Sequence, residues 1–451
     1  MSILPRTAVS RTYLNKINYL VNRHINPAKV KQFSCLILPG FLLAVSLNAQ
    51  NIQIPDQCFI NALIENGVDS NEDGLISYAE AEAVEILDFW SECITDLKGI
   101  EAFLNLTHLY FSTVNVKSVD LSANTKLTRL VISGQFDTLD LSNNPLVDTL
   151  ISYGGRISFL DVSQCRNLRR LSIQWNKLSA LDLSHNTELT YLDCGDNLLT
   201  ELDLSSCPEL YRIDCSYNLI KQLDLSANKK LKSLSCSNNQ LSNLDLSNLD
   251  SLNRLSSQSN YLHSLDLSSA PLLEYLSCSD NHLWHLDVSG NVHLRMLNCG
   301  GNPMTALNIS NNQALDTLSI GYGVPSLAIN HMPSLKQVCV WELPFPPPGF
   351  IMDTIGSPNI TFTTECVLGL QSEPEQRISV FPNPARNWVK IRADWPGEKA
   401  LTLLTSKGTL IQRISFKGDE YHLDISGLPA GIYIATVHSS KQMLVGKIIK
   451  Y

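Results

Sequence analysis

Six aspartates recur every 21 residues through the centre of the chain: Asp182, Asp203, Asp224, Asp245, Asp266 and Asp287. Asn176, Asn197, Asn218, Asn239, Asn260, Asn281 and Asn302 keep the same step. So do Cys194, Cys215, Cys236, Cys278 and Cys299, with Ser257 filling the gap. A period this short and this strict leaves few folds open. A 21-residue unit is too small to bury an apolar face alone, so successive units must stack into a solenoid. Stacking also lets a chain of 451 residues escape the size limit of a single globular core.

One whole unit runs from Leu189 to Glu209. Its first half, Leu189 to Leu199, reads Leu-x-x-Leu-x-Cys-x-x-Asn-x-Leu. This resembles the leucine-rich repeat signature, with cysteine at the third apolar position. The resemblance implies a mainly β solenoid. The second half, through Leu202-Asp203-Leu204-Ser205, nearly copies the first. Neither half has room for a full helix, so a short strand is expected on both faces of each coil.

Each column has its own physics. Leucine and cysteine point inward and form the core. Asparagine sits where the chain turns and can both donate to and accept from neighbouring coils. Stacked cysteines would lie roughly 5 Å apart, but side chains in register point the same way. They read as small buried hydrophobes, not disulfides, and a single file gives no tetrahedral metal cage. The aspartates pose a charge problem. With Asp120, Asp140 and Asp161 the column holds nine carboxylates, and each like-charged neighbour costs about 0.9 kcal/mol even in water. Two offsets are open: hydrogen bonds from backbone N–H or the following serines, or weak divalent-cation binding.

The ends carry different signals. Arg6, Arg11, Lys16, Arg23, Lys29 and Lys31 precede an apolar run from Cys35 to Leu47, with no acid before Asp56. This is a signal-peptide pattern over 1–49, with cleavage expected after Ala49. The run is too short to span a bilayer, so no transmembrane segment is expected in the mature chain.

Next comes a twelve-residue loop. Asp69, Asn71 and Asp73 stand at positions 1, 3 and 5 of an EF-hand-like pattern, Gly74 at the turn, the Leu75 carbonyl at 7, Ser77 at 9 and Glu80 at 12. These are hard oxygen donors, which suit Ca2+. Phe59, Ile60, Leu63 and Ile64 before the loop, and Ala79, Ala83, Val84 and Leu87 after it, suit flanking helices. No second loop follows, so a structural role is expected: a small helical cap over 50–93 closing the solenoid of 94–334. Cys58 and Cys93 bracket it, and their location alone suggests a bridge.

Solenoids bind partners along their concave face. Arg170, Tyr191, Arg212, Arg254 and Tyr275 fall at one outward strand position, with Trp175 and Tyr217 nearby. Tyrosine, arginine and tryptophan are the types that anchor interfaces. The stripe reads equally as an ordinary solvated sheet face. Charged residues make up 17% and the net charge is −9, with no basic stripe for nucleic acid. No catalytic constellation emerges, and the chain does not read as an enzyme.

Past the repeats, 335–368 reads as a C-terminal cap, with Cys339 and Cys366 as a candidate bridge, and 369–377 as a linker. From Ile378 short alternating strands predict a small Ig-like β-sandwich over 378–451. Phe381-Pro382-Asn383-Pro384-Ala385, Gly408, Leu428-Pro429-Ala430-Gly431-Ile432-Tyr433 and the lysine-rich end resemble the type A C-terminal sorting domain of the type IX secretion system of Bacteroidota. That resemblance implies engagement of the type IX secretion machinery. It further implies passage across the outer membrane, then release or attachment outside. Residues 50–368 resemble Bacteroidota leucine-rich-repeat surface proteins with an EF-hand-like N-terminal segment. The expected function is an adhesin-like surface or secreted protein that binds a protein or glycan. The alternative is a calcium-stabilised surface or matrix component without a discrete ligand.

Overall fold

The computed structural model describes residues 50–113, 115–316, 327–328, 332, 334–347, 350, 352–353, 360–365, 378–393, 398–405, 409–438 and 443–451. The signal segment, the linker and Cys366 lie outside these.

The cap is built on two short helices, α1 (Gln57–Glu65) and α2 (Tyr78–Glu82). Asp56 starts α1 by accepting from the Phe59 N–H at 3.0 Å. Its other oxygen accepts from the Thr95 N–H and hydroxyl, both at 2.8 Å, and from the Asp96 N–H at 3.1 Å. One carboxylate thereby joins the helix start to the first loop of the solenoid. A Cys58–Cys93 disulfide makes the same connection covalently. Phe59 heads a file of rings, with Phe89, Phe111 and Phe136 following at centroid separations of 5.5, 5.6 and 5.8 Å. The cap core therefore runs into the solenoid core without a break.

The solenoid is organised by one parallel sheet of thirteen strands among the described residues. Its first strands are β1 (Ile86–Trp90), β2 (His108–Ser112), β3 (Arg129–Ser133) and β4 (Thr149–Tyr153), each five residues long. From β5 (Arg170–Ser172) to β11 (Met296–Asn298) the strands shorten to three. Register follows the repeat: Leu171 pairs with Leu192, Leu192 with Ile213, and Ile213 with Leu234. These central residues are fully buried, and burying each leucine stabilises by about 1.5–3 kcal/mol.

Two expectations need correction. Leu87 belongs to β1, not to a helix, because its neighbours alternate exposed and buried and pair with β2. The second half of each coil forms no continuous strand. It shows isolated bridges such as Leu139–Leu160 and Asp287–Asn308, and pairs as a sheet only near the end, where the strands Ala306–Asn308, Gln337–Cys339 and Thr361–Thr363 lie side by side. The reason lies in the aspartate between its leucines. Its carboxylate accepts from the N–H two residues on, a local bond that competes with pairing to the next coil without excluding it, as Asp287 shows by doing both.

Residues from Ser379 onward form two antiparallel sheets, of three and four strands, around a core of their own. Val389, Leu401, Ala435, Val437 and Ile448 are fully buried within it. Lys399 is also buried, and its Nζ donates to the Gly418 carbonyl at 2.7 Å.

Candidate functional site on the sheet face

The outer face of the sheet carries the predicted stripe. Arg170, Tyr191 and Arg212 lie in register on consecutive strands. The Arg170 guanidinium sits 3.8 Å from the Tyr191 ring centre, and that of Arg212 lies 5.5 Å away on its other neighbour. Two coils on, Arg254 and Tyr275 repeat the motif at 5.9 Å. Each such contact contributes about 0.5–1 kcal/mol at an exposed site, enough to hold the rings ordered. All five predicted strand residues thus fall in one column.

Trp175 and Tyr217 are placed differently. They lie past the strands in a column that the sequence reading missed: Trp175, Asp196, Tyr217, Asn238, Ser259, Asp280 and Gly301 all adopt positive φ, between 53° and 68°. The left-handed conformation turns these side chains out of the sheet edge, leaving Trp175 40% and Tyr217 54% exposed. Gly301, the residue type that takes this conformation freely, was the available signal.

Between the arginines lies an acidic centre. Asp193 is buried and paired in register with Asp214. Gln174 donates to Asp193, as does the Gly195 N–H at 3.3 Å. Burial first, then the Asp214 charge, push the Asp193 carboxyl up to about 7 despite the two arginines. Burial and the same Asp214 raise Asp196 to about 6. Burial and Asp193 raise the Tyr191 phenol to about 12. The face therefore sheds negative charge as pH falls from 7 to 6.

The three ladders resolve as follows. Asn239 donates to the carbonyls of Cys215, Cys236 and Ser237 at 3.0, 3.1 and 3.3 Å, and accepts from the Ile220 N–H at 3.0 Å. The other members repeat this pattern. The ladder cysteines are buried thiols; burial raises their pKa, Cys236 and Cys299 to about 12. Each ladder aspartate accepts from the N–H of the serine two residues on, as Asp182 does from Ser184 at 2.9 Å. The Ser184 backbone and hydroxyl donors lower the Asp182 carboxyl, so hydrogen bonding is the offset to charge that the structure favours. A second asparagine ladder, interrupted at Leu249 and Ala270, runs beside the first: Asn124, Asn144, Asn186, Asn228, Asn291 and Asn312 donate to carbonyls of the preceding coil. Cys165 and Cys207 occupy two of its rungs, each aiming its thiol at the asparagine carbonyl of the coil before.

The candidate calcium loop is closed by hydrogen bonds. Asp69 accepts from the Asp73 and Gly74 N–H groups at 3.2 and 2.9 Å, and Asn71 and Asp73 accept from the Asp73 and Leu75 N–H groups at 2.9 and 2.8 Å. Glu80 faces inward: one oxygen takes the Ser70 N–H at 2.9 Å, the other the Ser77 N–H at 2.9 Å, in a capping box for α2. Burial would raise its carboxyl, but the Ser77 and Ser70 donors bring it down to about 2. The oxygens of Asp69, Asn71 and Asp73 suit a hard cation, whereas Glu80 would have to surrender hydrogen bonds to join them. Where a paired EF-hand would bring a second loop, residues 50–52 run beside the first. The Ile52 N–H donates to the Ile76 carbonyl at 2.8 Å and the Tyr78 N–H to the Gln50 carbonyl at 3.2 Å.

Residues 379–451 match the family described as secretion system C-terminal sorting domain. The functional domain of InlJ from Listeria monocytogenes, which includes a cysteine ladder, is 22% identical, with 89% of this chain and 100% of that one covered and a TM-score of 0.57. The internalin InlF of the same organism is 17% identical over 68% of this chain and 95% of its own, with a TM-score of 0.49. A leucine-rich repeat protein of Leptospira interrogans is 19% identical over 64% and 87%, with a TM-score of 0.46. No curated protein matches the chain. The likeness to InlJ establishes a leucine-rich-repeat-like solenoid, and says nothing of a ligand. The tail is a type IX sorting domain, which directs the chain to the cell surface or into the medium. Among the described residues no helix is long and apolar enough to cross a membrane.

Proposed function

We propose that the exported solenoid is an adhesin-like binding protein that grips a protein or glycan on the outer face of its main sheet. The observation that carries this reading is the arginine–tyrosine column: Arg170, Tyr191 and Arg212 stacked in register, with Arg254 and Tyr275 repeating the arrangement. The coil needs only its inward leucines and its asparagines to fold. The aromatic and guanidinium groups add nothing to that core, and they are the side chains that dominate interface energies. Trp175 and Tyr217 widen the same surface.

A screen against matrix proteins and glycan arrays tests it. The triple variant Tyr191→Ala/Arg212→Ala/Tyr275→Ala should lose about 100-fold or more in affinity for whatever the wild type captures, since anchors of this kind cost about 2 kcal/mol or more each. Equal binding by both proteins would remove the face from consideration.

The cap loop supports a second, structural role. Asp69, Asn71, Asp73, the Leu75 carbonyl, Ser77 and Glu80 would hold one Ca2+, supplying only oxygen ligands and stiffening the cap. Calcium should then raise the melting temperature by several degrees relative to chelator, as expected when a ligand at about 100 times its Kd adds about 2.7 kcal/mol. Asp69→Ala should abolish the difference. A wild-type melting curve indifferent to chelator would leave the loop as a plain hydrogen-bonded turn.

A further inference from the structure

We propose that His263 and His282 form a two-imidazole site for a divalent transition ion such as Zn2+, on the side of the solenoid next to the asparagine ladder. The ring centres stand 5.3 Å apart, with planes tilted by 56°. An imidazole nitrogen binds zinc at about 2.0–2.1 Å, placing the ring centre about 3.2 Å from the ion; two rings at a tetrahedral angle are then about 5.2 Å apart. The observed spacing accommodates two imidazoles sharing one ion.

The backbone beneath the pair is fixed. The Leu262 N–H donates to Asn281 Oδ1 at 3.0 Å, and the His282 N–H donates to the Leu262 carbonyl at 2.8 Å. The two histidines therefore project from segments clamped to each other by the ladder. Tyr261 stacks on His282 with centroids 6.0 Å apart and planes 28° from parallel, which limits the swing of that ring. Both histidines are exposed, so an ion can enter from solvent.

The repeat does not call for these residues. The column of His263 holds Ser179, Thr200, Lys221 and Ser242 in the preceding coils, so a polar residue of almost any shape folds there. The described residues bring no third histidine, cysteine or carboxylate into a metal-binding group. Water or a donor from another molecule would complete the coordination, which makes this an open site of modest affinity rather than a closed structural one.

The test is calorimetric titration of the untagged full chain with ZnCl2, then NiCl2 and CuCl2, at pH 7.5 in excess calcium, which keeps the cap loop out of the measurement. One ion per chain is expected. His263→Ala and His282→Ala should each weaken binding about tenfold or more, since even the loss of an outer partner costs about that much. His185→Ala and His293→Ala, at exposed histidines elsewhere, should bind as the wild type does. All four sites are on the surface, so the variants should fold. Unchanged binding in the His263→Ala/His282→Ala double variant, or no heat up to ~1 mM zinc, would overturn the assignment.

Discussion

Deletion of Ile378–Tyr451 is expected to abolish surface display and leave the solenoid inside the outer membrane. The sorting domain has its own core, made of residues such as Val389, Leu401 and Ala435. The solenoid core is a separate cluster running from Ile52 to Phe350. Removing the tail therefore takes away the export signal without opening the repeats. Whole-cell protease shaving and surface immunolabelling measure the outcome: signal should fall from wild-type level to background, while the truncated chain accumulates in the periplasmic fraction at its expected size. Normal display without the tail would show that another segment directs export.

The second large effect is on stability. Asn239→Ala removes four hydrogen bonds at once and strands the Ile220 N–H in the interior, while the Cys215, Cys236 and Ser237 carbonyls keep Asn218, Asn260 and the Tyr217 N–H as donors. An unsatisfied buried polar group costs about 1–3 kcal/mol, so a loss of about 1–3 kcal/mol is expected. Because Asn239 ties its own coil to the preceding one, through the Cys215 carbonyl and the Ile220 N–H, the damage falls on an interface between units. In a one-dimensional array that weakens coupling, and unfolding should broaden as well as shift. Asn243→Ala, at an exposed position four residues on, should change stability by less than about 0.5 kcal/mol. Denaturant melts followed by circular dichroism distinguish the two, and a harmless Asn239→Ala would mean that the ladder is decorative.

Much of this fold was legible because the repeat writes each structural role many times. A single buried asparagine is ambiguous; seven at a fixed step, each beside a turn, are not. The second ladder was harder to see because Cys165, Cys207, Leu249 and Ala270 interrupt it, and only the structure shows that two of those thiols address the same carbonyls. The strand expected in the second half of each coil failed for a local reason. Leu-Asp-Leu alternates as a strand does, yet the carboxylate accepts from the serine N–H two residues on, in competition with pairing to the next coil. The binding stripe was legible as a column but not as a surface: only Gly301, at the same step, pointed to the left-handed positions that Trp175 and Tyr217 hold at the sheet edge. Glu80 shows the same limit at the cap. Position 12 of the loop fits a ligand by spacing, while in space its two oxygens are engaged by Ser70 and Ser77.

The cysteines buried along the solenoid have one more consequence. Each is a protonated thiol shielded from solvent in the folded coil, and each belongs to a known coil. A coil that opens uncovers the sulfurs it carries, such as Cys194 and Cys207 within 189–209. Pulsed alkylation of the native protein, read residue by residue, would therefore map where along the stack breathing begins, with Cys194, Cys215 and Cys236 reporting from three consecutive turns and Cys278 and Cys299 from two more. The molecule carries a graduated scale of its own local unfolding, with marks set 21 residues apart save at the rung that Ser257 fills.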